Sequence, residues 1–338
     1  MSLMIASAAD RREARNFIRR QGLAFEEGYD DLACSYDGGV LVAVGARAGN
    51  ILKMLAVAPS HQGGPTLGEI VTALVERGFA AGFDSLFVFT RPENTVTFEA
   101  LNFSLLASQT QAALLEYGGG LERWLAAHRR ILAPGHNGCV VANCNPFTLG
   151  HRYLIETAAS QVDNLYLFIV REDRSVFPFD LRYRLVRAGV RDLPNVLPLD
   201  TAHYAVSGAT FPAYFLKKND SVAKIQMELD ATLFASRIAP FFGIATRFVG
   251  TEPQCAATNG YNAALKRILP VHGVSVVEVE RRQAAGAAIS ASRVRQLLAG
   301  GDLAALETLV PATTASFLRA DEAAAIREQL RFSTGGNQ

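Results

Sequence analysis

The stretch GCVVANCNPFTLGHRYLIETAA, Gly138 to Ala159, constrains the fold more than any other part of the chain. Cys139 to Ala142 is an apolar run with the length of a buried strand. A short polar turn follows, with Asn143, Asn145, Pro146 and Thr148, and Gly150-His151 opens a helical pattern carrying Leu154, Ile155 and Ala158. A strand that leads through a tight loop into a helix N-terminus is a unit of parallel α/β sheets. Its first helical N–H groups lack intrahelical partners and the aligned peptide dipoles make that end positive, so the junction suits a phosphate. His151 lies in the first turn and can aim an imidazole at the same place. Alone, such a junction is equally compatible with a plain connection.

The rest of the sequence from this point repeats the pattern. Asn164 to Val170 is a strand, REDRSVFPF a loop, and a helix runs from Asp180 as N-cap through Leu181, Leu185 and Val186. VAKIQMELDATLFASRIAP is helical, Thr246 to Glu252 a strand entering a loop, Asn259 to Leu269 helical, VSVVEVER a strand, and Ile289 to Leu298 a turn entering a helix. Repeated βαβ units predict a Rossmann-like doubly wound parallel sheet, with ligands beyond the carboxyl ends of its strands. Three strand ends then form one constellation: Asn143 to His151; Gly250, Thr251, Glu252 and Pro253, whose backbone can hold adenine or ribose; and Ile289 to Arg295. In the last, Ser290 and Ser292 precede a helix carrying Arg293 and Arg295. Hydroxyls, free N–H groups and guanidiniums together donate to phosphate oxygens. Arg171, Glu172, Asp173, Arg182 and Arg184 follow the second strand as further candidates, with Arg182 or Arg184 in reach of phosphate.

The first 130 residues have a different rhythm. Asp10 to Gly22 has helical spacing through Ala14, Phe17 and Ile18 with basic residues between. Val40 to Arg47 is a strand after a Tyr36 to Gly39 turn. Ile51 to Gly82 reads as strand, Gly-rich turn and amphipathic helix, and Ser85 to Thr90 as a buried strand. Asn94 and Phe103 read as fold residues. Gly118-Gly119-Gly120 and the short helix Leu121 to Leu132 mark the join, giving domains 1–130 and 136–338, in line with a chain of 338 residues.

Composition removes several classes. With 49% hydrophobic residues, 19% charged and a formal net charge of +1, the chain is globular, and no global field points to nucleic acid or to a membrane surface. Its four cysteines, Cys34, Cys139, Cys144 and Cys255, show no CxxC spacing and no metal or disulfide framework, which fits a reducing cytoplasm. Leu3 to Ala9 is too short for a signal peptide or a span.

Two resemblances add to this reading. The order of elements before residue 130, with RPENTVTFEALNF after the last strand, resembles the GNAT acyltransferase superfamily. The Gln62 to Gly68 turn departs from that family's pyrophosphate loop, because Pro65 lengthens it and Thr66 replaces a glycine. TLGH and ISASRVR resemble the signatures of the HIGH-type nucleotidyltransferases. With NxNPFTLGHRYLIE, REDRSVFPFDLRYRLV, SGATFPAYFLK and RFVGTEP they resemble the [citrate (pro-3S)-lyase] ligase family. Asn145, where many nucleotidyltransferases have Asp, looks typical of that subgroup.

That resemblance implies an α/β chain: a GNAT-like α+β domain followed by a nucleotidyltransferase domain. It implies that ATP, with Mg²⁺, and acetate give acetyl-adenylate and pyrophosphate. The acetyl group then passes to the thiol of the phosphoribosyl-dephospho-CoA group on the acyl-carrier subunit of citrate lyase. His151, Thr148 and Arg295 would act on the reacting phosphates. Asn143, Asn145, Pro146, Phe147, Gly150, Gly250, Thr251, Glu252, Ile289, Ser290, Ser292 and Arg293 would line the nucleotide pocket. Tyr204, Ser207 and Thr210 to Pro212 are acetate candidates. An adenylyltransferase for phosphopantetheine or a nicotinamide mononucleotide is the alternative in the same fold.

Overall fold

The computed structural model describes residues 2–5, 10–171, 175–205, 211–217, 220–252, 256–284 and 286–335. The chain divides into two compact units, Met1–Ala127 with Val206–Leu233, and His128–Ala205 with Phe234–Gln338.

The first unit contains β1 (Ser2–Ile5), α1 (Asp10–Arg20), β2 (Asp31–Asp37), β3 (Val40–Ala48), β4 (Ile51–Val57), α2 (Thr66–Ala80), β5 (Leu86–Thr90), α3 (Thr95–Glu99), β6 (Phe103–Ser108), β7 (Ala113–Tyr117) and α4 (Gly120–Ala127). Its sheet runs β1-β2-β3-β4-β5-β7-β6. Only the β4–β5 pair is parallel, and it joins at Ile51 with Phe87 and Leu52 with Val88. On α2 the buried positions Ile70, Val71, Leu74, Val75 and Gly78 form one stripe, as a helix lying on a sheet requires. The helix settles onto β3 at Gly45, where an added Cβ would lie 2.6 Å from Ile70 Cγ2.

The second unit begins with β8 (Asn137–Ala142), α5 (Leu149–Ala159), β9 (Asn164–Ile169), α6 (Phe179–Gly189) and β10 (Val196–Asp200). After α7 (Val222–Leu233) come α8 (Ala239–Phe242), β11 (Ile244–Gly250), α9 (Ala256–Ile268), β12 (Ser275–Val279), the small hairpin β13 (Gln283–Ala284) and β14 (Ala287–Ala288), α10 (Ala291–Gly300), α11 (Leu303–Leu306), α12 (Ala312–Arg319) and α13 (Ala324–Gly335). The sheet order is β10-β9-β8-β11-β12 and all of its pairs are parallel. The order reverses between β8 and β11, so the crevice beyond their carboxyl ends is the switch point. Val140, Leu165, Leu167 and Phe248 from the strands pack with Ile155, Val186, Val294 and Leu298 from the helices. Each such side chain, fully buried, contributes about 1.5–3 kcal/mol.

Two details differ from the sequence reading. The second domain was expected to run unbroken from 136 to 338, yet Val206–Leu233 clusters with the first unit. The cause is aromatic burial: the Tyr214 hydroxyl donates to Phe89 O at 3.1 Å and Arg91 Nε donates to Phe215 O at 3.0 Å, with both rings buried. Asp180 was expected to cap α6, but Pro178 occupies that position without a side-chain cap bond, and Asp180 lies in the first turn. There it still complements the helix dipole. Among the described residues no helix is long and apolar enough to cross a membrane.

Candidate active site

β8 delivers the chain to the switch point, and its loop turns sharply there. Cys144 has φ +52° and the Asn145–Pro146 peptide is cis. Phe147 is buried and Thr148 is the N-cap of α5. The Thr148 side chain accepts from His151 N–H at 3.3 Å, and His151 Nδ1 accepts the Thr148 N–H at 3.1 Å. This is a capping box in which histidine stands at the position usually held by Glu or Gln. Because Nδ1 accepts, the neutral ring carries its proton on Nε2 and is left able to donate. Phe147 stacks on the imidazole with centroids 6.1 Å apart.

Burial first, and the Arg281 charge second, lower the His151 pKa from 6.5 to about 4. The unfolded chain then binds more protons than the folded one between these values. Stability linked to this group is complete above about pH 6.5 and is lost as pH falls towards 4. Urea midpoints at pH 7.5 and pH 5.0 are expected to differ less in His151→Gln than in the wild type; an equal difference would remove His151 from the acid response. Arg281→Gln is expected to raise the imidazole pKa, read from its ring proton resonances against pH. An unmoved titration would leave burial as the sole cause.

The other two strand ends converge on this junction. Gly150 sits so close to the segment entering α10 that a Cβ there would lie 2.9 Å from Ile289 O. Arg295 Nη1 donates to Asn145 O, and Nη2 donates to Ser292 Oγ at 3.1 Å. Ser290 caps α10 by accepting Arg293 N–H at 3.2 Å. Arg293 Nη1 is buried with no hydrogen-bond partner. An unpaired buried guanidinium nitrogen is costly and fits an anion. Asn145 is pinned twice, since its Oδ1 also accepts Phe177 N–H at 3.1 Å.

Not every α5 donor expected at the site is open. Leu149 N–H donates to Leu309 O at 2.8 Å and His151 N–H to Thr148, so these two amides are already engaged.

On the far side of β8, Gly250 ends β11, and its carbonyl accepts Asn262 Nδ2 at 3.0 Å. Thr251 N–H continues the ladder to Val279 O at 2.9 Å, and Thr251 Oγ1 accepts Arg281 N–H at 3.3 Å. Glu252, 8% exposed, forms an ion pair with Arg281. Arg281 and Asn262 were missed in the sequence. The only signal for Arg281 was a cation just past the apolar run of β12.

The second-tier candidates go elsewhere. Arg182 is fully buried and donates to the carbonyls of Phe177 (2.9 Å), Asn143 (2.6 Å) and Val170 (2.9 Å), so it braces the loops rather than meeting phosphate. Arg184 pairs with Glu322, and Arg171 pairs with Asp200 at 2.7 Å. Asn143 is exposed, and its Oδ1 accepts Ser175 Oγ at 3.5 Å. Tyr204 is buried just beyond β10. Phe211 packs on Phe89 in the first unit. Glu172, Asp173, Ser207, Thr210, Pro253 and Cys255 lie outside the described residues. Cys34, Cys139 and Cys144 are buried free thiols. In the first unit the N-terminus of α2 carries Glu69 in its first turn, and Gln62 Nε2 donates back to Val57 O at 3.2 Å. A carboxylate at that end opposes a bound pyrophosphate.

Residues 137–318 match the family model described as the citrate lyase ligase C-terminal domain. The chain is 39% identical over 316 residues to a [citrate [pro-3S]-lyase] ligase of Klebsiella pneumoniae, covering 91% of this chain and 92% of that one. To the ligase of that name from Escherichia coli it is 39% identical over 287 residues, covering 82% of each. Among solved structures, an N-acetylglutamate synthase from Neisseria gonorrhoeae complexed with coenzyme A and N-acetyl-glutamate aligns with 34% of this chain and 34% of its own, at 16% identity and TM-score 0.29. A GNAT family N-acetyltransferase from Escherichia coli in complex with CoA aligns with 34% of this chain and 79% of its own, at 13% identity and TM-score 0.29.

Proposed function

Because the chain belongs to the citrate lyase ligase family, we propose that it activates acetate with ATP and acetylates the thiol of the prosthetic group on the acyl-carrier subunit of citrate lyase, in the cytoplasm. The observation that carries this reading is the contact between the two phosphate-type junctions. Gly150 meets the Ile289 carbonyl and Arg295 reaches Asn145, so the first turns of α5 and α10 face one crevice.

In the first step an acetate oxygen attacks the α-phosphorus, the bond from that phosphorus to the bridging oxygen breaks, and pyrophosphate leaves. A carboxylate is already a nucleophile and requires no general base. His151 Nε2–H and Gly150 N–H donate to oxygens whose charge grows in the transition state. Fixed donors of this kind act most strongly there because they need no reorganisation. Arg293, the Ser290 and Ser292 side of α10 and Arg281 hold the departing phosphates; Gly250 to Glu252 borders the nucleoside. Glu252 acts by orienting Arg281. A Mg²⁺ ion would arrive on ATP and would screen the phosphate charge, with phosphates and water as its ligands. In the second step the carrier thiolate attacks the acetyl carbonyl, a thioester forms and AMP leaves with the phosphate oxygen. The first unit is assigned the pantetheine arm of the carrier.

The reading is tested by incubating the chain with ATP, Mg²⁺ and ¹⁴C-acetate and following label onto the deacetylated carrier subunit. Label on the carrier with equal AMP release is expected. Turnover that instead requires phosphopantetheine or nicotinamide mononucleotide in place of acetate would overturn it.

A further inference from the structure

A concentrated positive charge lies on α1. Five of its eleven residues are arginines: Arg11, Arg12, Arg15, Arg19 and Arg20. Ala14, Phe17 and Ile18 turn inward and are at most 3% exposed, so the arginines share the outer surface. Arg11, Arg15 and Arg19 are spaced four apart and form one row, with Arg12 beside it. Acidic neighbours offset part of this and leave an excess of positive charge. Glu27 pairs with Arg15, and Glu13 accepts the Tyr36 hydroxyl at 3.1 Å. Asp10 and Glu13 are the acidic residues of the first turn.

Two of the cations are held out by aromatic rings. Arg11 Cζ lies 5.6 Å from the Tyr29 centroid and Arg15 Cζ 5.0 Å from that of Phe25, and the two rings meet edge to face at 6.0 Å. A guanidinium propped on a ring keeps its charge and loses conformational freedom before any partner arrives. In a chain of net charge +1 this concentration is local, and it constitutes a built positive face.

We propose that this face of α1 docks an acidic segment of the protein bearing the acceptor thiol; the inference rests on the reading above only in taking the acceptor to be a protein. A membrane is disfavoured because interfacial helices must turn their apolar side to lipid, and here that side is in the core. Nucleic acid is disfavoured because its binding draws on a strongly basic domain, and this chain carries a formal net charge of only +1. Opposed charge on a protein partner raises the encounter rate and fixes its orientation without entering the chemistry.

The test uses the full chain with Arg12→Gln, Arg19→Gln and Arg20→Gln together, since Gln keeps helix propensity. The deacetylated citrate lyase acyl-carrier subunit is the probe, with binding read by calorimetry without ATP and the carrier KM read with ATP and acetate. Carrier affinity is expected to fall about tenfold at low salt, with the difference from wild type shrinking at high salt. Acetate-dependent pyrophosphate exchange and the KM for free pantetheine are expected to stay unchanged. Unchanged carrier affinity would overturn the proposal, as would an equal loss with free pantetheine. A variant whose only change is weaker binding to duplex DNA or to anionic vesicles would also overturn it. Absence of exchange in the wild type would overturn the adenylation reading and leave the calorimetric result to decide this one.

Discussion

His151→Gln is expected to fold as the wild type does, bind ATP, and lose acetate-dependent adenylation by about 100- to 1,000-fold in kcat, the usual cost of one transition-state donor. Glutamine is chosen because it is a normal partner at the third position of a capping box and can accept the Thr148 N–H as the imidazole does. The substitution therefore separates two duties that the histidine combines. His151→Ala removes both, and is expected to show the same loss of rate with about 1 kcal/mol less stability from the lost cap. Calorimetric binding of ATP to each variant, set beside initial rates, checks this. Full activity in His151→Gln would reduce the histidine to a cap.

The largest expected effect on stability belongs to Arg182→Met. The side chain is fully buried and donates to three backbone carbonyls from two loops and the end of β9. Methionine fills similar space but leaves those acceptors without their donor, and each unsatisfied buried group costs about 1–3 kcal/mol. Relaxation and water entry recover part, so a net loss of about 3–5 kcal/mol is expected, the scale seen when one member of a buried charged arrangement is removed. At about 2–4 °C per kcal/mol, a drop in Tm of roughly 10 °C follows. A variant with unchanged Tm and a raised KM for ATP would return Arg182 to the phosphate contacts and contradict the bracing role.

The parts of the molecule legible in the sequence were those with a local physical signal. Alternation of apolar runs with helical spacing gave the parallel sheet, and the TLGH and ISASRVR turns stood out because a cap must sit immediately before its helix. Their contact through Gly150 and Ile289 was reachable only through topology. Arg182 was read as within reach of phosphate because a charged residue near a loop is rarely fully buried, and its burial depends on carbonyls as far away in sequence as Asn143. Arg281 carried almost no signal, since one cation after a strand is commonplace and its meaning comes from Glu252 and His151. The aromatic segment around Tyr214 and Phe215 carries no signal in its composition for which sheet it covers.

The central claim is that the crevice formed by the first turns of α5 and α10 attacks the α-phosphate of ATP with acetate. Exchange of ³²P-pyrophosphate into ATP, without any thiol acceptor, tests it most directly. Exchange that requires acetate and disappears in His151→Gln is predicted; exchange that proceeds without acetate, or persists undiminished in that variant, would contradict it.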